Sequence, residues 1–199
     1  MSSKISTTAL LHKEIANFHK LKLLIIYGCR LGTLRRLGMS ENISDKVMGK
    51  IIAATLLEEF GSDPYPKWRR TQNDNSTFLK SPTERYHAST IYAIASRIDL
   101  NERVANSEFV DALLGIHTVY LDAFGVTPDT ACFTINEVFE VIVGMRQQNI
   151  GVDTCSNCNG KSVFNHKRAK PKRCIFCEQH AHPPYSEEIL DKQAQRRQS

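Results

Sequence analysis

Two C-x-x-C pairs constrain this chain more than any other feature. Cys155 and Cys158 are followed, after fifteen residues, by Cys174 and Cys177, all within DTCSNCNGKSVFNHKRAKPKRCIFCEQHAH at 153–182. Pairs at that separation mark a tetrahedral zinc site, each pair gripping one side of the ion. Four thiolates close the coordination sphere, so one structural Zn²⁺ is expected. A catalytic zinc keeps three protein ligands and an open position. His166, His180 and His182 are the substitute ligands within reach in sequence, but four thiols make them unnecessary. Iron also accepts two such pairs, yet the basic surroundings suit binding better than redox chemistry. Asn159-Gly160 supplies a tight turn after the first pair. Residues 161–166 alternate as a strand does, and 170–173 with Ile175-Phe176 read as a return strand and second knuckle. Val163 or Phe164 would cover the metal. A core this small needs its ion to hold together.

The charge of the chain is concentrated around these cysteines. Residues 1–150 carry 17 Lys and Arg against 16 Asp and Glu, and residues 151–199 carry 9 against 5. Between Asp153 and Glu178 there are six cations (Lys161, Lys167, Arg168, Lys170, Lys172 and Arg173) and no acidic residue. Part of that excess offsets the net charge of about −2 on a four-thiolate zinc centre. The remainder makes a phosphate-binding surface if the metal holds it rigid, and a solvated charge run if not.

The rest of the chain reads as helix. Leu11, Ile15, Phe18, Ile25 and Cys29 recur at helical spacing over about 8–37, as one long helix or two in tandem, with Gly38 as the stop. Ser44 is the N-cap of a second helix over about 45–60. Its stripe is Val47, Met48, Ile51, Ile52, Leu56 and Phe60, and Gly61 ends it. Helix, polar turn and helix over about 20–60 resembles a helix-turn-helix pair with Lys46 and Lys50 on the second helix, although a plain helical hairpin fits as well. Residues 61–81 form a long irregular segment in which Lys67, Arg69 and Arg70 flank Trp68 and could clamp phosphate. Ser81 and Glu84 around Pro82 make a capping box, as do Thr134 and Glu137. Further helices are expected from about 82, over 108–124 (stopped by Gly125), and from 134 to about 148. Cys29, Cys132, His87 and His117 sit in apolar helical contexts and read as packed residues.

The expected fold is therefore mainly α: a helical body over 1–150, a four-cysteine zinc-ribbon-like module over 151–184 and a polar tail over 185–199. No apolar run approaches the roughly 20 residues that span a bilayer, and the N-terminus lacks the apolar core of a secretory signal. A cytoplasmic protein is expected. No convergent nucleophile, base or phosphate-cradling glycine loop points to an enzyme.

The order of these motifs resembles the FlhC family of bacterial transcriptional activators. The residues that carry the likeness are Gly28-Cys29-Arg30-Leu31 in the first helices, Ile43-Ser44 opening the next and the Gly61 stop. The proline-bearing loop, His87-Ala88-Ser89 and the two cysteine pairs complete it, over roughly residues 20–178. The resemblance implies a zinc-containing subunit that binds promoter DNA together with a helical FlhD-like partner. The complex would recruit RNA polymerase to flagellar or conjugative-transfer genes. The ligands map onto Cys155, Cys158, Cys174 and Cys177. The sequence departs from the flagellar pattern at Asn136-Glu137-Val138-Phe139, where the family has Arg-Ala-Trp, and in the 61–81 loop. A protein-interaction adaptor and an RNA-binding factor are the alternatives for a ribbon of this kind.

Overall fold

The structure, a computed structural model, describes residues 7–41, 43–64, 79–98, 100, 106–166, 170–171 and 173–177, with 7–13 described in backbone only. It is mainly helical. Six helices precede a single two-stranded sheet among the described residues: α1 (Thr7–Ile26), α2 (Leu31–Arg36), α3 (Asp45–Phe60), α4 (Pro82–Ala95), α5 (Asn106–Phe124) and α6 (Ile135–Arg146), then β1 (Ile150–Thr154) and β2 (Lys161–Asn165). The strands pair antiparallel, with Val152 opposite Val163 and Thr154 opposite Lys161.

The first expected helix is two in tandem, and the break between them is a built feature. Gly28 takes a left-handed φ of 79°, open to glycine at little cost. The Asn136 side chain, at the start of α6, then clamps the turn from both sides. Its Nδ2 donates to the Gly28 carbonyl (2.8 Å), and its Oδ1 accepts from the Arg30 amide (2.9 Å). Beside it the Arg30 guanidinium lies 3.5 Å from the Glu137 carboxylate, both side chains largely buried. Arg36 sits over the Phe139 ring at 4.5 Å and also pairs with Glu140. The segment Asn136–Phe139 thus locks α6 to the α1–α2 turn that carries Gly28-Cys29-Arg30.

Both capping boxes form: Ser81 accepts from the Glu84 amide at 3.0 Å, and Glu137 accepts from the Thr134 amide at 2.9 Å. Ser44 occupies the N-cap position of α3 without a side-chain hydrogen bond, and Gly61 closes that helix at φ 69°. Eight residues separate α2 from α3, longer than the 3–4 residues of a helix-turn-helix connection.

The core lies along α4, α5 and α6. Leu113, Ile116, Tyr120, Val138 and Val141 are fully buried, and Val163 of β2 belongs to the same cluster. The Val163 amide donates to Ser89 Oγ of α4 at 2.9 Å, so β2 packs against α4 at the edge of the helical core. The apolar stripes read for the first two helices pack less completely than their spacing suggests. Ile15, Phe18 and Val47 are exposed, because no further element of the described chain lies against those faces of α1 and α3; Phe60 is also partly exposed, at 40 %. No described helix is long and apolar enough to cross a membrane.

Candidate metal centre

The C-x-x-C turn itself is the tip of the hairpin, which is not how the spacing reads. Residues 161–166 were expected to pair with a return strand at 170–173. Instead β2 pairs with β1, the segment just before the first cysteines, and the described residues Lys170, Pro171 and Arg173 are not strand. The knuckle reverses the chain unaided: the Asn159 amide donates to the Cys155 carbonyl (2.9 Å), and the Cys155 amide donates to the Gly160 carbonyl (3.0 Å). Asn159 adopts the left-handed region (φ 56°), which asparagine tolerates better than most residues. Pro171 lacks the amide a ladder needs. Cys174 follows directly, and Ile175–Cys177 begins a helical turn. The apolar alternation of Ile150 and Val152 ahead of Cys155 was the available signal for β1.

The four sulfurs converge. Sγ atoms of Cys155, Cys158, Cys174 and Cys177 all lie within 4.8 Å of one another. Cys155 is 3.8 Å from Cys177, and Cys158 is 3.6 Å from Cys174. A regular tetrahedron with zinc–sulfur bonds of about 2.3 Å has sulfur–sulfur edges of about 3.8 Å. A disulfide would need about 2.05 Å. The donor set and spacing therefore fit one tetrahedral thiophilic ion. His166 is exposed, turned edge-on to the Phe164 ring, and is not part of the cluster. His180 and His182 lie outside the described residues.

Acidity in the cluster follows from this crowding. The amides of Cys158 and Asn157 point at Cys155 and bring its thiol down to about 7. At Cys158 the Gly160 amide favours the thiolate, but desolvation and the neighbouring thiols Cys177, Cys174 and Cys155 outweigh it, pushing the group up to about 12. Four thiols in so small a volume resist shared ionisation until a cation joins them.

Packing joins the second pair to the helical body. Ile175 is buried, and the Phe176 ring meets Tyr86 of α4 edge-on at 5.8 Å. Phe176 also lies against Gly160, where an added Cβ would come within 2.5 Å of Phe176 Cδ2 and 3.2 Å of Cys158 Sγ. Phe176 therefore covers the knuckle, in place of Val163, which points into the main core, or Phe164, which lies over Gly151. Asn157, unremarked in the sequence, donates from its backbone amide to Cys155 Sγ (3.4 Å) and from Nδ2 to Cys177 Sγ (3.5 Å).

The candidate phosphate-binding residues divide into three groups. Lys161 and Arg173 are exposed beside the cluster, and Lys170 is exposed but ion-paired with Asp153 at 2.7 Å. Lys46 and Lys50 are exposed on α3, a separate element from the metal centre. Lys67, Arg69, Arg70, Lys167, Arg168 and Lys172, together with Trp68, lie outside the described residues. Of the other two cysteines, Cys29 is buried, with burial pushing its thiol up. Cys132 is half-buried, and burial raises it to about 11.

No family model matches the chain, and no curated protein matches it significantly.

Proposed function

We propose that the chain is the DNA-binding subunit of a transcriptional activator of the FlhC type, with one structural Zn²⁺ held by Cys155, Cys158, Cys174 and Cys177. The observation that carries this reading is the four-sulfur cluster at the base of a segment bearing six cations and no acid. The metal fixes both ends of that segment, so its charges meet a phosphate backbone at little ordering cost. The ion is a staple, and no reaction is assigned to it. Lys161, Lys167, Arg168, Lys172 and Arg173 supply phosphate contacts. Lys170 contributes less, because Asp153 offsets its charge. Lys46 and Lys50 on α3 form a second contact point on duplex DNA.

The exposed apolar side chains of α1 and α3 suit a helical partner of the FlhD kind, through which the complex would recruit RNA polymerase to flagellar or transfer promoters. The same face favours a second reading, a protein-interaction adaptor that never meets DNA. Charge reversal at Lys161, Lys167 and Arg168 separates the two. In the first reading the variant keeps one zinc per chain and its partner but loses the mobility shift on promoter duplex, with a salt slope shallower by about one per lost phosphate contact. An unchanged shift would sink the DNA reading.

A further inference from the structure

We propose that Asn157 is a positioning residue of the metal centre, joining the two cysteine pairs by donating hydrogen bonds to a thiolate on each side. The inference rests on the zinc reading above. Within a C-x-x-C turn, backbone amides of the turn ordinarily serve the sulfurs of the same turn, and here the Asn157 and Cys158 amides serve Cys155. The Asn157 side chain does something the turn alone cannot: Nδ2 reaches across to Cys177 Sγ of the other pair, 3.5 Å away. Cys155 and Cys177, the two sulfurs it contacts, are themselves 3.8 Å apart, one edge of the tetrahedron. Asn157 thus braces that edge from outside.

The chemistry favours an amide at this position. Four thiolates around Zn²⁺ leave a net charge of about −2, and each N–H donor draws density from the sulfur it contacts. That makes the sulfur less basic towards protons and less prone to leave the metal. Aspartate has the same shape but only accepts hydrogen bonds when ionised, and it adds a like charge; leucine fills the volume and offers no donor. Neighbouring Ser156 is exposed and points no donor at a sulfur among the described contacts.

The test uses the full chain loaded with Zn²⁺ or Co²⁺. Zinc transfer to a chromogenic chelator is expected to be 10–100-fold faster for Asn157→Leu, in the range found when outer-shell partners of metal ligands are removed. Asn157→Asp should be faster still, and Ser156→Ala should match the wild type. In the Co²⁺ form the sulfur-to-metal charge-transfer band is expected to move to lower energy in Asn157→Leu and further in Asn157→Asp, a change that a merely structural loss does not produce. If the wild type takes up no metal, the zinc reading falls and this inference with it. If the wild type holds one equivalent and Asn157→Leu shows the same release rate and the same band, only the positioning role is overturned.

Discussion

Helices α3 and α6 have similar apolar content and opposite fates. Nine of the sixteen residues of α3 are apolar, as are seven of the twelve of α6, yet α6 buries eight residues and α3 buries only Met48 and Leu56. The difference lies in arrangement and neighbours. α6 is enclosed by α4, α5, β1 and the Asn136 clamp on the α1–α2 turn. The apolar residues of α3 run around most of its circumference, and α1 covers one side. Leu57 stays 63 % exposed, with Phe18 of α1 at 65 %. At roughly 25 cal/mol per Å² of apolar surface, whatever covered them would add stabilisation that the described residues do not supply. Among the described residues the molecule therefore has a closed end, around α6 and the four-cysteine cluster, and an open one.

The largest effect should come from an ion held by the four-cysteine cluster. Structural zinc contributes on the order of 10 kcal/mol to small thiolate domains, and here the coupling extends further because Val163 belongs to the main core and Phe176 packs on Tyr86 of α4. Stripping the ion with a chelator, or substituting Cys174→Ser, is expected to expose the amides of β1, β2 and α4 to hydrogen exchange. Those of α1 and α3 should change little. Uniform loss of protection across all six helices would erase the distinction between the two ends; protection unchanged in α4 would show the centre to be a separate module.

Adjacent leucines on α3 provide the next contrast. Leu56 is 3 % exposed and Leu57 63 %. Leu56→Ala should cost about 2–5 kcal/mol in denaturant unfolding, the range for a buried leucine, whereas Leu57→Ala should stay within about 0.5 kcal/mol. Equal costs would mean that α3 is packed on both faces in solution.

What could be read from the sequence follows the same division. The helix ends were legible because their signals are local: Ser81 with Glu84, Thr134 with Glu137, and Gly61 each act within one turn. The convergence of the four cysteines was legible because tetrahedral thiolate coordination restricts spacing so tightly. Strand pairing was not, since β1 precedes the cysteine motif and nothing local distinguishes an upstream partner from a downstream one. Exposure of Ile15, Phe18 and Val47 was also hidden. Helical spacing shows that a face is apolar, but not whether the chain has anything to place against it. Asn136 and Asn157 act through contacts 108 and 20 residues away, beyond any sequence window.

Acid should test the closed end through two histidines. His87 and His117 are both brought down to about 4, chiefly by desolvation on burial; His87 Nδ1 also lies 2.8 Å from the Tyr120 hydroxyl. In the unfolded chain each titrates near 6.5. Between about pH 6.5 and 4 the unfolded state therefore binds more protons than the folded one, so stability is full above that window and falls as pH drops through it. Each histidine contributes a slope of up to about 1.4 kcal/mol per pH unit. Acid would also release an ion from the four thiolates, so the informative quantity is the difference between the wild type and His117→Leu. The variant should show the shallower slope in urea unfolding between pH 4.5 and 6.5; parallel curves would mean that His117 titrates normally in the fold.

The smallest effects should have opposite signs at the two ends. An added methyl at Gly160 meets the Phe176 ring at 2.5 Å, and the ring cannot withdraw freely because it also contacts Tyr86. Gly160→Ala should therefore destabilise by about 1–3 kcal/mol, as overpacking does. In α3, Gly49 has a helical backbone with nothing among the described residues within 4 Å of an added Cβ. Gly49→Ala replaces the most flexible residue with the best helix former and should stabilise by about 0.5–1 kcal/mol. Thermal melts of the two variants are enough to check the sign. Two destabilised proteins would place a neighbour on the Gly49 face of α3, closing the end that the described residues leave open. Stabilisation at Gly49 alone would mean that this face meets no neighbour in solution.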